Sequence, residues 1–206
     1  MSVYLKDMLS VIKELDIYAM KVAEKRWNNI AKPLNGLGLL EEVVIKIAGI
    51  TRTPNVNLKK RAVVVMCADN GVVEEGVTQT GQEVTAIVVA NMVKGETAVN
   101  NMAKCVNVDV IPVDIGIARD MYIDGLIKKK LMYGTKNMTK EPAMTKYTAI
   151  EAVECGIKIV KDLRDKGYGI IATGEMGIGN TTTSSAIAAV LLDRNVEEVT
   201  GRGAGL

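Results

Sequence analysis

The sequence predicts an α/β fold: a parallel β-sheet with helices on both faces, preceded by a small helical appendage. Three observations carry this expectation. Short apolar runs rich in β-branched residues recur at residues 61–69, 108–116 and 168–174. Between them lie stretches whose apolar residues repeat at helical spacing, and strands alternating with helices build a parallel sheet covered on both sides. Each apolar run also ends in glycine together with Asp, Asn or Glu, at the sheet edge where ligands bind in such folds.

In chain order, residues 3–28 place Leu5, Met8, Leu9, Ile12, Leu15 and Ala19 at helical spacing, and Lys32-Pro33-Leu34-Asn35-Gly36 is a turn signal. A second helix is expected over 39–48 and a loop over 49–58. Residues 61–69, with the core VVVMCAD, read as a buried parallel strand. A polar loop, 70–82, leads to one long helix over 83–104. Residues 108–116 form the second strand, and Lys128-Lys129-Lys130 reads as a solvated helix end. A helix is expected over 143–166, a third strand over 168–174 and a last helix over 181–192.

Composition narrows the function. The chain has 206 residues, 48% of them hydrophobic, with one Trp, six Tyr and no Phe, so Val, Ile, Leu, Ala and Met must build the core. Eleven Met residues fill that core or line an apolar pocket for a flat ligand. A net charge of +2 leaves no electrostatic footprint for nucleic acid or an anionic membrane. Cys67, Cys105 and Cys155 are odd in number and far apart, which fits reduced thiols in a cytoplasmic protein. No apolar stretch approaches the length needed to span a membrane. The absence of histidine excludes Ser-His-Asp and Cys-His relays and histidine metal sites, leaving proton transfer to carboxylates or to a perturbed Lys, Cys or Tyr.

The sharpest local signal is G-E-M-G-I-G-N-T-T-T-S-S over 174–185, between a predicted strand and a predicted helix. Glycines let backbone approach a ligand closely, and a helix start offers free N–H groups and the positive end of the helix dipole. Asn180 stands where a Walker loop would have its lysine, so a monophosphate suits this loop better than a triphosphate. A glycine-rich turn with Thr capping the helix is the structural alternative. Glu175 follows the strand directly; general base, ligand-orienting group and structural cap are all open to it. The strand exits Asp69-Asn70-Gly71, Asp114-Ile115-Gly116 and Gly174-Glu175-Met176-Gly177 converge on one pocket if the sheet is parallel. The loop 69–82 either shapes that pocket or is an ordinary surface loop. Arg202, in Gly201-Arg202-Gly203-Ala204-Gly205, pairs with a phosphate or belongs to a terminal tail.

Five segments in order, CADNGVVEEGVTQTGQEVT (67–85), VDIGI (113–117), GTKNMTKEPAMT (134–145), GEMGIGNTT (174–182) and GRGAGL (201–206), resemble the nicotinate-nucleotide–dimethylbenzimidazole phosphoribosyltransferase family of cobalamin nucleotide-loop assembly. The resemblance implies a Rossmann-like, three-layer parallel sheet with a small helical domain, assembled as a homodimer. It assigns residues 1–58 to the small helical domain and 59–206 to a nucleotide- and base-binding domain whose fold continues beyond this sequence. The implied reaction moves the phosphoribosyl group of nicotinate mononucleotide onto 5,6-dimethylbenzimidazole, with no cofactor and no metal. By the same resemblance Gly177, Gly179, Asn180 and Thr181 hold the phosphate, helped by Gly201, Arg202 and Gly203. Thr78 and Gln82 lie near the benzimidazole, Met176 packs on its ring, and Glu175 matches an active-site carboxylate. Asp69, Asn70 and Asp114 remain pocket candidates. Two departures are visible: many members carry His where this chain has Asn70, and Pro where it has Gly81. The family's favoured base, the glutamate of a Gly-Glu-Gly motif, falls outside these 206 residues. That favours an alternative expectation, a binding module for nucleotide or base without turnover. A third, an unrelated nucleotide-dependent α/β enzyme, is disfavoured by the G-x-x-G-x-G spacing and the missing Walker lysine.

Overall fold

The computed structural model describes residues 2–203, and the expectation for residues 204–206 lies outside them. The chain divides into two compact units, Met1–Lys59 and Lys60–Leu206.

The first unit holds α1 (Val3–Ser10), α2 (Ile17–Asn28) and α3 (Leu39–Thr51). The single periodic stretch over 3–28 is therefore two helices. Asp16 breaks it: its carboxylate caps α2 by accepting the Ala19 N–H at 2.9 Å, and its own N–H donates to Gly49 O at 3.1 Å. Small residues, Ala19 and Ala23 on α2 and Ala48 and Gly49 on α3, are all buried. A Cβ on Gly49 would lie 2.8 Å from the Met20 side chain, so these helices sit too close for a larger residue there. Glu41 is 3% exposed and is neutralised by Lys32 Nζ at 2.7 Å.

The second unit is built on a four-stranded, all-parallel sheet, order β3-β2-β1-β4. Its strands are β1 (Arg61–Ala68), β2 (Asp109–Gly116), β3 (Ile127–Lys128) and β4 (Ile170–Met176). Alternation along β1 sends side chains to opposite faces. Val65 and Cys67 join Ala86, Val89 and Met92 of α4 (Glu83–Lys94) in one core. Val64 joins Cys155, Ile159 and Leu163 of α6 (Lys146–Asp165) in the other. Helices thus cover both faces, as the alternation of elements predicts. Burial pushes the Cys67 thiol up to about 12, which makes it packing material rather than a nucleophile.

Two expectations are corrected here. The long helix over 83–104 is two helices, α4 and α5 (Ala98–Cys105). Gly95 ends α4 at φ +82°, and Thr97 starts the next, its N–H bonded to Asn100 Oδ1 at 3.3 Å. The Lys128–Lys130 run is not a helix end. Ile127 and Lys128 pair with Val113 and Asp114 of β2, and Lys130 Nζ donates to the carbonyls of Ile117 (2.8 Å) and Arg119 (2.5 Å). Hydrophobic pattern could not reveal a two-residue strand followed by a half-buried lysine surrounded by oxygens.

The other side of the sheet is open. Strand β4 pairs with β1 alone, and Ile170, Ala172 and Thr173 are exposed. Helix α7 (Asn180–Leu192) has no buried residue; Ile187, Val190, Leu191 and Leu192 all face solvent. Helix α8 (Val196–Val199) follows, tied back through Ser185 Oγ to Val199 O at 3.0 Å.

Candidate active site

Strand order decides where the site lies. The connection from β1 leads through α4 and α5 to β2 on one side, whereas β4 adds on the other side of β1. The exits of β1 and β4 therefore flank a topological switch point, the place where a crevice opens in a doubly wound sheet. A cleft of about 240 Å³ opens there, lined by Val77, Thr78, Gln79 and Thr80 on one side and by Met176, Gly177, Ile178, Gly179, Asn180 and Thr181 on the other.

The glycine loop is shaped by lack of space and by one unusual dihedral. A Cβ on Gly177 would overlap the Ala68 carbonyl oxygen and come within 2.9 Å of both Asn70 Nδ2 and Glu175 Oε1. Gly179 has φ +84° and stands at the N-terminus of α7, where no side chain caps the first turn. The backbone of Ile178 is pinned on both sides: its N–H donates to Thr85 Oγ1 at 3.1 Å, and its C=O accepts from Asn70 Nδ2 at 3.0 Å.

Glu175 stands between strand and loop. The residue is exposed, yet protein crowds its carboxylate closely enough for desolvation to raise its pKa above the ordinary carboxylate value; a hydrogen bond donated by Asn180 Nδ2 opposes that shift. Across the cleft from the glycine loop, Thr78 Oγ1 donates to Thr80 O at 2.5 Å and closes the turn that forms the other wall.

Of the residues singled out in the sequence, Thr78, Met176, Gly177, Gly179, Asn180 and Thr181 line this cleft together. Gly203 lies close by: a Cβ on it would be 2.7 Å from Thr181 Oγ1. Arg202 and Gly201 are exposed. Gln82 stands behind the wall, its Nε2 donating to the Asn70 C=O at 2.9 Å. Asp69 is 2% exposed and structural in its contacts: Oδ2 accepts the Ala118 N–H at 2.7 Å, while Oδ1 is buried without a partner among the described residues. The three strand exits do not converge on one pocket. Asp114 accepts the Ile117 N–H at 2.9 Å and faces Lys130 at 3.5 Å, lining a separate hollow of about 330 Å³ with Tyr122 and Tyr133. Although larger than the cleft, that hollow is occupied chemically by Lys130, whose ammonium is already met by two carbonyls, two carboxylates and the Tyr133 ring. Sequence reasoning missed Thr85, and no local signal points to it, because its partner Ile178 is 93 residues away.

The pocket loop is braced from outside. Asn137, 6% exposed, donates to Glu75 Oε1 at 2.6 Å, Thr139 Oγ1 donates to the same oxygen at 3.1 Å, and Lys140 meets Glu74 at 2.8 Å. These contacts hold the 3-10 turn Gly71–Glu75 against residues 134–145. Hydrogen bonding from Lys140 and Asn137 lowers the Glu74 pKa, and hydrogen bonding from Asn137 and Thr139 lowers that of Glu75. The brace is therefore present above the ordinary carboxylate value of 4.5 and is lost as pH falls through the lowered values. Hydrogen exchange at pH 6 and about pH 3, corrected for intrinsic rates, should show residues 71–76 losing protection at the lower pH before β1 does. Equal protection of that turn at both values would show that the brace does not hold it.

Among the described residues, no group of three or more Cys, Asp or Glu could hold a metal ion. An uncapped helix start beside a close-packed glycine loop offers backbone N–H groups and the positive end of a helix dipole to an anion, next to a carboxylate of raised pKa and the apolar Met176. A phosphoribosyltransferase family model matches residues 12–206, and the chain belongs to that family. More particularly, it is 47% identical over 201 residues to the nicotinate-nucleotide–dimethylbenzimidazole phosphoribosyltransferase of Ruminiclostridium cellulolyticum, covering 98% of this chain and 57% of the relative. The protein of the same name from Acetivibrio thermocellus is 49% identical over 198 residues, covering 96% of this chain and 56% of that one. The crystal structure of CobT from Thermus thermophilus superposes with a TM-score of 0.86 at 37% identity, covering 92% of this chain and 57% of the other. The chain thus spans somewhat more than half the length of these relatives.

Proposed function

We propose that this chain carries the nucleotide- and base-binding part of an enzyme of cobalamin biosynthesis. The reaction moves the 5-phosphoribosyl group of nicotinate mononucleotide to 5,6-dimethylbenzimidazole, giving α-ribazole 5′-phosphate and nicotinate. The observation that carries the reading is the cleft at the β1/β4 switch point, where a close-packed glycine loop at a helix start adjoins Glu175 and Met176. In this reading the phosphate sits at the start of α7 against Gly177, Gly179, Asn180 and Thr181, with Gly201, Arg202 and Gly203 closing over it. The flat base lies on Met176 near Thr78, with Gln82 bracing that wall. Transfer breaks the bond between C1′ and the nicotinate nitrogen, whose electron pair leaves with nicotinate, and forms a bond from C1′ to a benzimidazole nitrogen. The proton on the other benzimidazole nitrogen passes to a carboxylate, and Glu175, with its raised proton affinity, suits that task. Asp69 and Asn70 act from behind the loop, whereas Asp114 belongs to the neighbouring hollow.

The reading includes no cofactor or metal, a homodimer and a cytoplasmic location. The exposed apolar residues Leu39, Leu40, Val43 and Ile50 along α3 support self-association, and three free cysteines support a reducing compartment. In it, the first unit is part of a small helical domain. No helix among the described residues is long and apolar enough to cross a membrane.

One observation favours a second reading, a binding module without turnover. The residues lining the cleft include no carboxylate, and Glu175 stands at its edge. Incubating the chain with nicotinate mononucleotide and dimethylbenzimidazole, followed by mass detection of α-ribazole phosphate, separates the two. Product establishes the transferase. Calorimetric binding of the mononucleotide without product establishes the module, and absence of binding sinks both.

A further inference from the structure

Besides accepting the Val73 N–H of its own turn at 3.2 Å, Asn70 makes hydrogen bonds to three more distant parts of the second unit. Its Nδ2 donates to Ile178 O at 3.0 Å, its Oδ1 accepts from Thr183 Oγ1 at 2.9 Å, and its backbone C=O accepts from Gln82 Nε2 at 2.9 Å. The side chain is nearly buried, at 8% exposure. A primary amide offers a donor and an acceptor on one short fork, which no apolar or carboxylate side chain of that size provides. The Thr183 hydroxyl occupies the acceptor and so leaves the amide nitrogen to face Ile178 O.

This contact has a directional consequence. A peptide unit is planar and trans, so its C=O and N–H point in opposite directions. With Ile178 O turned inward onto Asn70, the N–H of Gly179 points away from Asn70. Gly179 lines the cleft and starts α7, and its φ of +84° is one that other residues rarely adopt. The Thr85 hydroxyl, 0% exposed, holds the preceding N–H of Ile178 and removes the remaining freedom of this turn.

We propose that Asn70, oriented by Thr183, is a positioning residue that turns the Ile178–Gly179 peptide so that the Gly179 N–H is presented to a phosphate. This rests on the assignment of the glycine loop as the phosphate cradle and names what sets its shape. Asn70 touches no substrate; it acts through the peptide it holds.

The test follows the Gly179 amide resonance of the isotopically labelled 206-residue chain during titration with inorganic phosphate and, separately, with nicotinate mononucleotide. In the unsubstituted protein the Gly179 proton should move downfield with phosphate. Asn70→Asp keeps the shape and the acceptor but loses the donor to Ile178 O, and should weaken the response about tenfold, the worth of one hydrogen bond. Thr183→Val, which leaves the amide free to rotate, should reproduce that loss, and Thr183→Ser should restore the response. A general defect in folding would not follow the hydroxyl in this way. A Gly179 resonance that ignores phosphate in the unsubstituted protein, or that responds as fully in Asn70→Asp and Thr183→Val as in the unsubstituted protein, overturns the inference. If phosphate moves Gly179 but the mononucleotide does not bind, the inference stands and the proposed substrate falls.

Discussion

Gly177→Ala is expected to abolish phosphate binding and to destabilise the second unit by about 3 kcal/mol, the upper end of the usual cost of overpacking. The reason is contact with backbone. The added Cβ would overlap the carbonyl oxygen of Ala68, the last residue of β1 and paired with Gly116 of β2, and backbone there cannot step aside as a flexible side chain can. The same atom would crowd Asn70 Nδ2 and Glu175 Oε1, each 2.9 Å away, so relief in one direction spoils the Asn70 brace or displaces the carboxylate. Gly201→Ala is the control, since nothing lies within 4 Å of a Cβ there, and it should leave stability unchanged. Urea unfolding midpoints measure the first effect and calorimetry with nicotinate mononucleotide the second. A midpoint for Gly177→Ala equal to that of Gly201→Ala would mean the loop is looser than its contacts imply.

Glu175→Gln should lower the rate of transfer by about 10²–10⁴-fold, the usual contribution of a positioned acid or base, with little change in KM for the mononucleotide. The fold should survive, because a glutamine carbonyl oxygen can still accept from Asn180 Nδ2. Stability carries a second signature with a definite sign. Desolvation raises the pKa of Glu175 in the folded chain, so the folded state binds the proton more tightly than the unfolded one. Its contribution is fully present below the ordinary carboxylate value of 4.5 and declines as pH rises through the raised value. The glutamine variant lacks this titration, so its melting temperature relative to the parent should be higher at pH 7 than at about pH 4. Unchanged turnover in the variant would remove Glu175 as the base. An unchanged difference in melting temperature across pH would instead show that the carboxylate is solvated in solution.

Much of the second unit was legible in the sequence because its signals are local. Val63 to Cys67 is an apolar run of strand length, rich in β-branched residues, and it lies within the inner strand β1. The G-E-M-G-I-G-N-T-T spacing marks a strand, a tight loop and a helix start, and α7 begins at Asn180. Breaks were harder. Asp16 and Gly95 each interrupt an apolar pattern that runs on at helical spacing, because a cap or a left-handed glycine ends a helix without disturbing the periodicity around it. The lysine run at 128–130 looked solvated because charge is polar wherever it sits; Lys130 is instead enclosed by oxygens from residues 114–120.

By itself, then, the sequence determined the α/β class, the glycine loop between a strand and a helix, the acidic residue beside it and the family to which the chain belongs. These follow from periodicity and from motifs whose residues are neighbours along the chain. Tertiary structure alone decided which strand exits share a cleft. The order β3-β2-β1-β4 brings Asn70 to the loop that starts at Gly177 and leaves Asp114 facing a different hollow, although all three exits look alike in sequence. It also gave Asn70, Thr85 and Thr183 their work, because hydrogen bonds spanning 93 to 113 residues are set by strand order and packing, which no local pattern encodes.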